Sequence, residues 1–165
     1  MKAVLAMLAF CGQERCLLDG SGRLKLTPRW IEDFLARRNG EVVIHGLPEG
    51  ALALYPLEVY SGMRREALSQ LDRVASSFAA RRSMRRFGAL TTETVITRQG
   101  RVTVPPAFRD YAALEPGTEI HVIGVEIGIE LWNAERYQAE MSEIQAHYLA
   151  RGANEMSAEL IRPLE

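Results

Sequence analysis

Gly22-Arg23-Leu24-Lys25-Leu26-Thr27-Pro28-Arg29-Trp30 returns later in the chain as Gly100-Arg101-Val102-Thr103-Val104-Pro105-Pro106-Ala107-Phe108. At this shift of 78 positions the glycine, the arginine, the apolar alternation, a proline and the aromatic all stay in register. Downstream, Leu54-Tyr55 through Tyr60 matches Leu131-Trp132 through Tyr137 at a shift of 77, so the copies differ by one residue of loop. A recurrence that keeps both residue type and order marks an internal repeat. A unit of about 50 residues buries little surface by itself, so the halves are expected to complete each other, and neighbouring chains to complete them further.

The pattern around each copy is strand, turn, strand, short helix. Residues 10 to 18 read as a strand, and Asp19-Gly20-Ser21-Gly22 as a turn whose glycines tolerate left-handed dihedrals and whose aspartate can accept from nearby amides. Leu24 and Leu26 then face one way, Arg23 and Lys25 the other: a half-buried strand with a basic outer face. Pro28 stops it, and Trp30, Ile31, Phe34 and Leu35 share one face of a short helix that leaves through Arg37-Arg38-Asn39-Gly40. Strands are expected at 42–44 and 51–55, then a helix begun by Pro56 with Tyr60, Met63, Ala67 and Leu71 on its apolar face. A second helix, starting at or after Phe78 and ending near Gly88, joins the halves on the apolar arc Ala80, Met84 and Phe87. The second half repeats the programme with 93–96, the Gln99-Gly100 turn, 101–104, a short helix near 108–114, the Pro116-Gly117 turn, and strands at 120–124 and 129–132. Asn133 is placed to cap a last helix carrying Tyr137, Met141, Ile144 and Tyr148, and 153–165 reads as a tail. The implied divisions are 10–60, a helical connector over 61–89, 90–137, and a C-terminal helix and tail over 138–165.

Several function classes find no footing in this sequence. It has no glycine-rich phosphate loop with its lysine, no dinucleotide fingerprint, no paired histidines on a helix and no cysteine nucleophile with a local base. Neither an enzyme nor a cofactor is therefore expected. Cys11 and Cys16, read as lying in one strand, point to opposite faces, which disfavours a disulfide or a shared metal, and His45, His121 and His147 have no local ligand partner. No apolar run reaches the length of a membrane span, and Met1 to Phe10 lacks a small-residue cleavage pattern, so a cytoplasmic protein without a membrane partner is expected.

Cations cluster at the repeated turns. Arg23 and Lys25 share a strand face, and Arg98 and Arg101 flank the equivalent turn, an arrangement able to present cations to phosphates or a groove. Asp19, Gly20, Gly22 and Gly100 are the residues that would order these turns. Arg81, Arg82, Arg85 and Arg86 line the arc opposite the connector helix's apolar face, as a solvated surface or as an auxiliary basic surface toward DNA or an acidic partner. The net charge of −1 argues against nucleic acid, although an overall balance hides where the arginines sit.

Phe10-x-Gly12, Asp19-Gly20-Ser21-Gly22-Arg23-Leu24 before Pro28, and Leu52-x-Leu54-Tyr55 together resemble the MraZ family. In the second half the resemblance is carried by Gln99-Gly100-Arg101-Val102-Thr103-Val104-Pro105, Phe108-Arg109, Val122-Ile123-Gly124 and Glu130-Leu131-Trp132, so that it spans roughly 10–150. Either half alone is similar to AbrB-like transcription factors and antitoxins. The resemblance implies an α+β fold of two tandem pseudo-symmetric swapped-hairpin halves forming a small double-split β-barrel with flanking helices. It also implies rings of eight or twelve chains that bind double-stranded DNA at tandem operator repeats and regulate transcription of the division and cell wall gene cluster, usually as a repressor, at the nucleoid. The family's Asp-x-x-x-Arg motif maps onto Asp19 and Arg23, whereas Thr97 stands at the acidic position before Arg101. Ser21 and Cys11 replace basic residues frequent in the family. Those losses and the net charge favour a rival reading, a protein-interaction scaffold that does not bind DNA.

Overall fold

The computed structural model describes residues 9–71 and 77–150; the expected tail at 153–165 lies outside them. Strand alternation produces β1 (Gln13–Leu17), β2 (Arg23–Lys25), β3 (Glu41–Gly46), β4 (Leu52–Pro56), β5 (Thr91–Val95), β6 (Arg101–Thr103), β7 (Glu119–Gly124) and β8 (Ile129–Asn133). Pro28 does not end β2, which stops at Lys25; it is in the first turn of α1 (Pro28–Leu35), where a missing amide costs nothing, and Pro106 holds the same place in α4 (Pro106–Ala112). The remaining helices are α2 (Leu57–Leu71), α3 (Phe78–Ala89) and α5 (Ala134–Ala150). The chain divides after Asn133, and α5 belongs to a separate unit.

Six strands form one antiparallel sheet in the order β1-β7-β8-β4-β3-β5, and β2 pairs with β6 in a separate two-stranded ribbon. The pairing is reciprocal between the halves. β1 of the first half pairs with β7 of the second, Gln13 opposite Ile123, while β5 of the second half pairs with β3 of the first, Thr91 opposite His45. These pairs are equivalent positions of the repeat, so each half lends its first strand to the other's sheet. The sheet is not closed into a barrel, because β1 and β5 stand at its two edges. Beyond β1, ladder pairing dwindles to a single bridge between Leu18 and Leu24, since the tight turn between them takes up the backbone groups that a longer ladder would use.

The period-two alternation of β3 and β4 sorts their side chains onto two cores. Val42, Ile44, Leu52 and Leu54 join Leu24, Leu26, Val102 and Val104 of the ribbon segments, with Trp30, Phe34 and Phe108 from the short helices. Val43, Ala53 and Tyr55 lie in a smaller cluster with Tyr60 of α2, against which Phe87 of α3 packs. Thr91 links this second cluster: its Oγ1 lies 3.0 Å from His45 Nδ1 and 3.2 Å from Tyr60 Oη, and donates to the Phe87 carbonyl at 2.6 Å.

Several local expectations need correction. The first strand starts at Gln13, not at residue 10, because Phe10 and Gly12 have φ of 49° and 89° and bend the chain. Cys11 therefore precedes β1; both cysteines are free, but not for the strand-face reason. Pro56 closes β4, and α2 begins one residue later. On α2, Tyr60 is buried while Met63 and Ala67 are exposed, so the expected face docks by its first turns and not along its length. The start of α3 at Phe78 agrees with expectation: the helix opens behind the Ser77 cap, whose Oγ accepts from the Ala80 amide at 3.1 Å, and Phe78 is itself exposed.

Candidate nucleic-acid interface

The first turn is organised by one carboxylate. Asp19 Oδ1 accepts from the amides of Ser21 at 2.8 Å and Arg23 at 3.0 Å, and Oδ2 accepts from Arg23 Nε at 3.2 Å. Backbone bonds from Asp19 N to Arg23 O and from Gly22 N to Asp19 O close the loop. The Arg23 amide is the largest influence holding the Asp19 carboxyl below its ordinary range. Gly22 has φ of 76°, a conformation that suits glycine, and its carbonyl accepts from the Val104 amide of the other half. Gly20 has no left-handed φ and no neighbour among the described residues within 4 Å of an added Cβ, so, unlike Gly22, neither backbone nor packing requires a glycine there.

The second turn repeats this frame with a different side chain. Thr97 Oγ1 accepts from the Arg101 amide at 3.0 Å, Thr97 N donates to Arg101 O, and Gly100 N donates to Thr97 O. Gly100, with φ of 83°, offers its carbonyl to the Leu26 amide, the mirror of the Gly22 bond. What Thr97 lacks is the charge. Among the described residues Arg23 is ion-paired with Asp19, and no ion pair involves Arg101.

The ribbon brings these residues together. Lys25 lies directly opposite Arg101 and Arg23 opposite Thr103, while Leu24 and Val102 between them are buried. Directly opposed residues of an antiparallel pair share a face, so Arg23, Lys25 and Arg101 project from one exposed surface with Thr103 as its neutral fourth position. A shallow depression at its margin is lined by Leu17, Asp19, Arg23, Leu24, Lys25 and Arg101. Like charges set opposite each other in a sheet are unfavourable, and among the described residues neither Lys25 nor Arg101 has a carboxylate in ion-pair range. Arg98 sits exposed in the second turn, at the position Gly20 holds in the first.

The basic arc of α3 belongs to a different element, and part of it is engaged within the chain. Arg86 donates to Tyr111 Oη at 2.9 Å, Tyr111 Oη in turn donates to the Leu47 carbonyl, and the Arg82 guanidinium lies over the Phe78 ring at 4.7 Å. Arg81 and Arg85 are exposed on the same helix.

Two cations beside the turns escaped the sequence reading as site residues. Arg109 lies against Gly22, where an added Cβ would stand 2.7 Å from its Cζ, and its buried Nε has no hydrogen-bond partner among the described residues. The repeat offers the signal: Arg109 occupies the place of Ile31, which packs on Gly100. Arg29 lies against Gly12 in the same manner, Nη1 2.7 Å from an added Cβ, and places a cation beside Cys11. Its signal is weaker, since only the fold brings α1 to that segment.

The family model described as "MraZ protein, putative antitoxin-like" matches residues 89–158. Across most of the chain the sequence is 33% identical over 137 residues to the transcriptional regulator MraZ of Thermomicrobium roseum, covering 83% of this chain and 90% of the relative. The chain belongs to the MraZ family. The MraZ regulators of Kineococcus radiotolerans and Cutibacterium acnes are similar to it at 30% over 142 residues and 32% over 141, with 86% of this chain covered in each case and 93% and 92% of the relatives. No group of three or more His, Cys, Asp or Glu among the described residues could hold a metal, and no helix among them is long and apolar enough to cross a membrane.

Proposed function

We propose that this MraZ-family chain is a transcriptional regulator, a repressor of the division and cell wall gene cluster, that binds tandem repeats of double-stranded DNA upstream of its own operon through the outer face of the β2–β6 ribbon. The observation that carries the reading is the unneutralised pair of Lys25 and Arg101, set directly opposite each other on an exposed face. Their repulsion is relieved when an anion such as a DNA phosphate approaches. The name shared by the relatives supports the regulatory role. Arg23 supplies a guanidinium already oriented by Asp19, able to give a phosphate or a guanine edge two hydrogen bonds. Arg98 extends the face at the second turn, and Arg81, Arg82, Arg85 and Arg86 form an auxiliary basic surface.

A ring of eight or twelve chains would repeat this face and turn modest affinity per site into avidity. Exposed Leu17 and Val95 on the sheet's edge strands, and Met63, Phe78 and Met84 on the helices, are apolar surface suited to such assembly. The reciprocal exchange of β1 and β5 supports the swapped-hairpin description, with halves at 10–60 and 90–137, a connector at 61–89 and a C-terminal helix and tail from 138. The working location is the cytoplasm, at the nucleoid, and the role needs no cofactor and no catalysis.

The test measures binding of the full chain and of Arg23→Ala to the protein's own upstream DNA and to scrambled DNA across a salt series. A bidentate base contact through Arg23 predicts a loss of about 1–3 kcal/mol per site on the upstream DNA alone, whereas a phosphate contact weakens both DNAs and lowers the salt slope. Absence of any preference for the upstream DNA at every salt concentration removes the regulator reading in favour of the scaffold.

A further inference from the structure

The two turns share one backbone frame and differ in one charge. Asp19 and Thr97 each accept the amide of the arginine four residues on, at 3.0 Å in both cases, and each closes the loop with the same pair of backbone bonds. Asp19 then takes the Arg23 guanidinium at 3.2 Å, whereas the Thr97 hydroxyl carries no charge to offer Arg101. Arg109 adds a cation beside the first turn, but it packs against Gly22 with its Nε buried.

We propose that Thr97 makes the two halves unequal partners for DNA: by leaving Arg101 unpaired it assigns to the second half the larger share of phosphate attraction, while the Asp19-held Arg23 is the fixed, direction-giving cation of the first. This inference rests on the DNA-binding reading above and says how that face is divided. Arg101 faces Lys25 across the ribbon, so its charge adds to a neighbouring cation instead of being cancelled. Engaging a phosphate costs it no ion pair. Arg23 keeps its Nε on Asp19 while its terminal nitrogens engage a phosphate, and its attraction at a distance is already reduced by that carboxylate. Thr97 is a positioning residue here, since it touches the Arg101 backbone and acts through that side chain.

The experiment compares full-length Thr97→Asp with Thr97→Asn, which carry the same kind of acceptor and differ by one charge, on upstream and scrambled DNA from about 50 to 200 mM salt. Thr97→Asp is expected to bind both DNAs more weakly than Thr97→Asn, with a slope of log affinity against log salt shallower by about one per engaged chain, or roughly three- to fourfold over that range. Repeating the pair in an Arg101→Ala background should shrink the difference, a readout that a structural role for the turn would not produce. Asp19→Asn, which frees Arg23, should steepen the slope and serves as the independent variant if Thr97→Asp does not fold. Equal slopes for the Thr97 pair in a protein that binds DNA, a difference that persists undiminished without Arg101, or an unchanged slope in Asp19→Asn overturns the inference. Failure of the wild-type chain to bind upstream DNA is a different outcome and overturns the DNA-binding reading itself.

Discussion

Replacing Gly20, Gly22 and Gly100 one at a time by alanine separates conformational strain from crowding within the paired turns. An alanine at Gly100 must hold a φ of 83°, which costs about 1–2 kcal/mol for a residue with a Cβ. That Cβ would also press into Ile31 Cδ1, and stand 2.7 Å from Ile31 Cγ1 and 2.9 Å from the Leu26 carbonyl oxygen. The carbonyl is backbone and bonded to its surroundings, so it cannot swing aside, and overpacking of this kind adds about 1–3 kcal/mol. The sum is about 2–5 kcal/mol. At Gly22 the φ is 76°, but the atoms met first are the guanidinium of Arg109, the far end of a flexible side chain, so the expected loss is about 1–2 kcal/mol from strain alone. Gly20 has no neighbour among the described residues within 4 Å of an added Cβ and no left-handed φ, and alanine there should cost nothing and gain up to about 0.5–1 kcal/mol through the unfolded chain. The assay is thermal unfolding at one fixed protein concentration, because assembly would otherwise shift the midpoint. For a chain of this size each kcal/mol corresponds to about 2–4 °C, so Gly100→Ala should lose on the order of 4–20 °C. Equal midpoints for the Gly100 and Gly20 variants would refute the reasoning.

His45 and Thr91 carry the next two predictions. Burial, followed by the charge of Arg86, holds the His45 pKa below its ordinary 6.5, so the stability it contributes is present above pH 6.5 and is lost as pH falls through the lower folded-state value. Unfolding midpoints should decline over that acid window, and His45→Gln should flatten the decline. Thr91→Val keeps the shape of the side chain but removes the hydroxyl shared by His45, Tyr60 and the Phe87 carbonyl; a loss of about 1–3 kcal/mol in denaturant unfolding is expected, and an unchanged midpoint would show that those partners are satisfied elsewhere.

The repeat was legible because Gly22-Arg23 and Gly100-Arg101 are fixed by local rules: a left-handed glycine, then a short alternating strand, then a proline that begins a helix. The strands' sides followed from the same alternation. The exchange of β1 and β5 between halves did not, because the sequence of one strand does not say which distant strand will accept its hydrogen bonds. The start of β1 is not announced by Phe10, whose positive φ its residue type does not favour; Gly12, also at positive φ, was the one local signal of the bend. On α2 the apolar spacing of Tyr60, Met63 and Ala67 was real, but spacing does not tell how many turns find something to cover them. In the candidate site Arg23, Lys25 and Arg101 were visible as cations of paired turns, yet their common face depends on the register that sets Lys25 against Arg101. The role of Asp19 in ordering its turn was readable from spacing, whereas the place of Arg109 beneath Gly22 needed the folded ribbon.

The most direct test of the DNA-facing ribbon uses Thr103, the neutral position opposite Arg23 on the same exposed face. A photocrosslinking residue there leaves every proposed cation in place. With upstream DNA bound and irradiated, the ribbon account predicts a protein–DNA adduct from Thr103 that falls away when Lys25 and Arg101 are both changed to alanine; tight DNA binding with no adduct at Thr103 would place the DNA elsewhere on the protein and contradict it.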